Sequence, residues 1–116
     1  MLDEHALADC RIRLREQLKP QAAELPRAKD LDLMVWNDRT IALSLSYGFL
    51  TVVHIEEFTR LAFELQFGTT PTPTQVKWAK TVLAESSFPA DFRLRLVRSE
   101  LEGTIARAGE NGAFLP

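Results

Sequence analysis

The sequence predicts an all-α fold, a single-domain bundle of about five helices spanning residues 1–116. Three observations predict it. Apolar residues recur every three or four positions in five separate segments, the breaks between those segments carry proline or glycine, and no two alternating segments read as paired strands.

The first segment runs from about Asp3 to Lys19, with Leu7, Cys10 or Arg11, Leu14 and Leu18 recurring on one stripe, Arg11, Arg13 and Arg15 pointing away from it, and Pro20 expected to close it. "QAAELPRAK" is a loop or short turn. The second helix is expected from about Lys29 to Tyr47, with Leu31, Met34, Val35, Ile41, Ala42 and Leu45 on one face and Gly48 at a left-handed stop. The third starts after Thr51 as N-cap and ends at Phe67, where Gly68 is expected to stop it in the same way. Thr72 followed by Pro73 reads as the N-cap and first-turn proline of a fourth helix to about Glu85, with Trp78 and Val82 facing inward. A fifth, with Pro89 in its first turn, carries Phe92, Leu94, Val97, Leu101 and Ile105, and residues 109–116 are expected to form a loose tail.

A chain of 116 residues fits one domain, and a domain of that size buries roughly two-thirds of the surface its unfolded chain exposes. Hydrophobic residues at 46% and charged residues at 26% match ordinary globular usage, which argues against a disordered chain. The net charge of -2 supplies no global field toward nucleic acid or an anionic membrane. No secretory signal is visible, no apolar run approaches the roughly 18 residues of a membrane span, and one lone cysteine fits a reducing compartment. The expected location is the cytoplasm.

"HIEEFTRLAFELQFG", residues 54–68, poses the sharpest chemical question, because a histidine and two adjacent carboxylates stand on a helix. At 100° per residue, Val52, Ile55, Phe58, Leu61, Ala62, Phe63 and Leu65 fill more than half the circle. Glu56, Glu57, Arg60 and Glu64 share the rest and are expected to be a solvated stripe with ion-pairing spacing. His54 lies at the edge of the apolar sector. A di-iron bundle site needs acid and histidine sets on several helices, and the only other histidine is His5. His54 is therefore expected to be structural, with no metal, no cofactor and no catalytic residue. Cys10 on an apolar face reads as core. No glycine-rich phosphate cradle is present.

Two basic clusters, "RIRLR" at 11–15 and "FRLRLVR" at 92–98, are interleaved with acids and lack stacking aromatics, so they are expected to be solvated rather than to bind specific nucleic acid. What remains is surplus apolar surface. Trp36 lies off the main stripe of its helix, with Leu33 and Leu43 adding a second apolar side, which makes the helix either a docking face or one buried on both sides. Binding hot spots favour tryptophan and arginine, so Trp36 with Arg39 is the expected anchor pair, and Phe49 and Phe67 are further partner-binding candidates.

In chain order, "TIALSLSYGF", "IEEFTRLAFELQFG", "WAKTVL" and "FPADFRLRL" resemble small all-helical proteins of type VI secretion effector clusters, which accompany an adaptor chaperone and a PAAR-type spike-tip protein. The residues that carry the resemblance are Ile41-Ala42, Tyr47-Gly48-Phe49, Phe67-Gly68, Trp78 with Leu83, and Pro89 with Arg93. The "TTPTPT" connection is longer than usual. The resemblance implies a non-catalytic co-chaperone or adaptor whose protein partner is an adaptor chaperone or a secreted effector. An immunity protein against a cognate toxin is the alternative, and a small DNA-binding regulator stands behind it. A homo-oligomer stays open.

Overall fold

The structure, a computed structural model, describes residues 3–68 and 71–114, with side chains as far as residue 103. Five α-helices follow one another with no strand among the described residues: α1 Glu4–Glu24, α2 Leu33–Ser46, α3 Val52–Phe67, α4 Pro73–Ala84 and α5 Ala90–Phe114. A 3-10 turn, Pro26–Ala28, links the first two. The fold class is the one the periodicity predicts.

Most helix starts follow the local chemistry read from the sequence. Asp3, Asp32, Thr51 and Thr72 each accept a first-turn backbone N–H through a side-chain oxygen. Gln75 completes a capping box with Thr72, and each such cap contributes about 1 kcal/mol. Four boundaries differ. Pro20 sits inside α1, exposed, and the helix continues to Glu24, at the cost of one backbone hydrogen bond that proline cannot donate. α2 starts only at Leu33, because the 3-10 turn and the Asp32 cap occupy the stretch expected to be its first turn. Gly48 is left-handed, with φ at 89°. Gly68 is not: its backbone is extended, and glycine is needed there because a Cβ would come within 2.5 Å of the Glu64 carbonyl oxygen. α5 stays helical through Phe114, over most of the segment expected to be a loose tail, and the side chain of Ile105 lies outside the described residues.

α3 is the hub. α1 and α2 pack on it and on each other, and α5 packs on it while α4 packs on α5. Three buried clusters form around the hub. Ile55 joins Cys10, Leu14 and Ile41 in one. Phe63 and Phe67 join Leu18 and Ala28 in a second, and Phe58, Leu61 and Leu65 join Phe49, Leu83, Leu94 and Val97 in the largest. A fully buried Leu or Phe contributes roughly 1.5–3 kcal/mol relative to exposure, so seven buried side chains of α3 make it the main source of stability.

α2 departs most from its expected face. It buries Asn37, Thr40, Ile41 and Ser44 and exposes Met34, Val35, Ala42 and Leu43. Thr40 and Ser44 are served on their own helix by donating to the carbonyls of Trp36 and Ile41, and Asn37 donates across to the Arg11 carbonyl on α1 while its Oδ1 meets no hydrogen-bond donor among the described residues. The small hydroxyl side chains of Thr40 and Ser44 let α2 lie close on its neighbours. Its apolar residues are left facing outward.

Candidate functional site: a groove over the third helix

Because α2 leans on α1 and α3 while α4 leans on α5, a gap remains between α2 and α4 above the hub helix. It forms a groove of about 350 Å3. Trp36, Thr40, Leu43 and Tyr47 make one wall at spacings of four, three and four residues, which keeps them on one edge of α2. Phe58, Ala62, Leu65 and Gln66 form the floor, and Lys80 and Leu83 the opposite wall. Ala62, the smallest floor residue, leaves the middle open. Beyond Leu65 and Gln66 the groove runs into a second trough of about 450 Å3 bounded by Arg27, Val76, Lys77 and two prolines, Pro71 and Pro73.

Trp36 is half-buried. One side of the indole packs edge-on against Phe63 at 5.6 Å and Phe67 at 5.8 Å between ring centres, and its Nε1 donates to Gln66 Oε1 at 2.9 Å. The rest lines the groove. Arg39 is exposed on the same edge of α2, between Trp36 and Leu43 in sequence, and forms no ion pair among the described residues. Phe49 and Phe67 are core residues, not exposed ones. Phe49 is fully buried and Phe67 nearly so, because the chain turns at Gly48 to put Phe49 against Phe58, and the third helix is buried on the side that a helical wheel assigns to its polar sector.

Beneath the groove lies a buried cation. Arg93 on α5 is 3% exposed. Its Nη1 donates to the Leu83 carbonyl at 2.7 Å and to the Tyr47 carbonyl at 2.9 Å, and the guanidinium stands 4.4 Å above the Phe49 ring. It thus ties the ends of α2 and α4 to α5, where the negative ends of two helix dipoles favour a positive charge. Burial lowers its pKa from the arginine value, and nearby Glu85 opposes that shift. The expectation that the arginines of 92–98 are solvated fails here. Arginine shares the inward face with Val97 four residues on, a signal that the cluster's overall charge concealed. The structure thereby brings Tyr47, Phe49, Leu83 and Arg93 together from distant parts of the chain.

The histidine and the glutamates of α3 are clasps between helices. His54 Nε2 meets Asp91 at the start of α5. Glu56, 14% exposed at its side chain, accepts from Arg13 of α1 at 2.6 Å, and Glu57 accepts from Arg98 of α5 at 2.8 Å. The two adjacent carboxylates therefore reach opposite neighbours, which a helical wheel that treats α3 alone cannot show. Cys10 is fully buried, and burial raises its thiol pKa, with Glu56 adding to the effect. Trp78 and Phe92 are more than a third exposed rather than inward. Among the described residues no three or more His, Cys, Asp or Glu side chains gather as a metal site, and no helix is long and apolar enough to cross a membrane.

No family model, curated protein or solved structure matches the chain. The fold and the groove define an all-helical domain with an apolar trough over its central helix.

Proposed function

We propose that the protein is a non-catalytic protein-binding accessory, a co-chaperone or adaptor that holds an adaptor chaperone or a secreted effector of a type VI secretion module in the cytoplasm. The observation that carries the binding role is the groove over α3, with outward apolar residues on α2 beside it. Supporting the non-catalytic part, the side chains best suited to acid-base or nucleophilic work are engaged structurally: His54 with Asp91, Glu56 with Arg13, Glu57 with Arg98, and Cys10 in the core. The secretion context rests on the sequence resemblance.

Co-purification from cells expressing the neighbouring genes tests this reading. An adaptor chaperone or effector should co-purify with the wild-type protein and be lost with Leu43→Gln, a change at a side chain 44% exposed that should leave the melting temperature near that of the wild type. Retention of that partner by the variant would remove the groove from the role. A partner that is a toxin whose activity the protein blocks would establish the immunity alternative.

A further inference from the structure

We infer that the groove receives an acidic amphipathic helix of a partner protein, with apolar side chains seated over Ala62 and carboxylates held by the cations of the rim. This inference rests on the protein-binding reading and adds the chemistry of the bound segment.

Shape selects a helix. The α2 wall, from Trp36 to Tyr47, extends over eleven residue steps, or about 16 Å at a helix's rise per residue. Wall and floor both present side chains at helical spacing, so a third helix laid between α2 and α4 would meet ridges on either side. No strand exists among the described residues for an extended peptide to pair with.

Charge selects acids. Neither the groove nor the trough that continues it contains an Asp or Glu among its lining residues. Lys80 stands on the far wall, Lys77 and Arg27 border the continuation, and Arg39 lies along the near edge; all four are exposed and none belongs to an ion pair among the described residues. Elsewhere Arg11, Arg13, Arg60 and Arg98 all face carboxylates. Arg15, Lys19, Lys29 and Arg95 are also outside ion pairs among the described residues but line neither, so what distinguishes the groove and its continuation is a lining that holds cations and no carboxylate to balance them. Hydrogen bonding agrees, because Gln66 accepts from the Trp36 indole through its carbonyl oxygen and has its amide nitrogen left to donate to an acceptor on the ligand.

The test is display selection of a randomised helical-peptide library on the purified full chain. The expected winners carry net negative charge and apolar residues at i, i+3 or i+4, and i+7. A synthetic peptide of the winning sequence should lose affinity by roughly tenfold or more when its glutamates become lysines. The double variant Lys77→Glu, Lys80→Glu should lose the acidic peptide by a similar factor and gain the lysine-bearing one, an exchange that damage to the fold would not produce. Leu43→Gln should weaken both peptides.

Winners that are neutral or basic yet still lost with Leu43→Gln would overturn the acidic assignment while leaving the groove as a docking site. No enrichment, or winners insensitive to Leu43→Gln, would overturn both. A concentration-dependent dimer in sedimentation, abolished by Leu43→Gln, would place a second copy in the groove and overturn the inference as well.

Discussion

Arg93 concentrates much of the largest core into one side chain, because its guanidinium serves two helix ends and an aromatic ring at once. Arg93→Met keeps the volume but strands two carbonyls, so urea denaturation should show a loss of about 2–4 kcal/mol. Arg93→Lys should fall between wild type and Arg93→Met, since an ammonium can still donate to the carbonyls but lacks the planar guanidinium that stacks over the Phe49 ring. Cys10 supplies a second measurement. Its pKa is raised above the 9.0 of a free thiol by burial, so the folded state holds the proton more tightly than the unfolded one. The associated stability is fully present below the unfolded value and declines as pH rises through the folded value. In mildly alkaline buffer a thiol reagent should react with native protein at least about 100-fold more slowly than with the urea-unfolded chain.

Gly48 shows how much of an element is fixed by one backbone angle. A Cβ there would meet Arg93 at 3.7 Å, ordinary contact, so the strain of Gly48→Ala comes from the positive φ alone; thermal or urea unfolding should record a loss of about 1–2 kcal/mol. Trp36→Ala removes a side chain that packs on two phenylalanines but also faces the groove. It should lower stability by about 2–3 kcal/mol, less than a fully buried tryptophan, and weaken partner binding as well. Helix existence, the N-caps at Thr51 and Thr72 and the Gly48 stop were legible because each depends on residues within one turn. The buried face of α2 was not, since Thr40 and Ser44 satisfy their hydroxyls on their own helix and so enter a core that hydropathy would deny them. Trp36, singled out by its surplus apolar character, lines the groove, whereas Arg39 is exposed outside its lining. Lys80, Ala62 and Leu83 were missed because a groove shared by three helices leaves no periodic mark on any one of them.

Three clusters meeting at one helix give the whole molecule an uneven stability. The principal extents of 55, 35 and 19 Å describe a flat body, about two helix diameters thick, in which α3 alone reaches every cluster. Amide exchange should therefore be slowest in α3, with α4, which leans chiefly on α5, opening sooner; equal protection of the two helices would contradict this ordering. The buried arginine also has a meaning in time. A ribosome delivers α1, α2 and α3 ahead of residue 93, so until that residue emerges the nascent chain holds the Phe49 ring and the Tyr47 carbonyl without the cation that covers them. The first two clusters can close early because their members all precede residue 68. The third waits for α5, and for that interval the floor of the groove, Phe58 and Leu65 included, is open to any chaperone that recognises unpaired apolar helix faces.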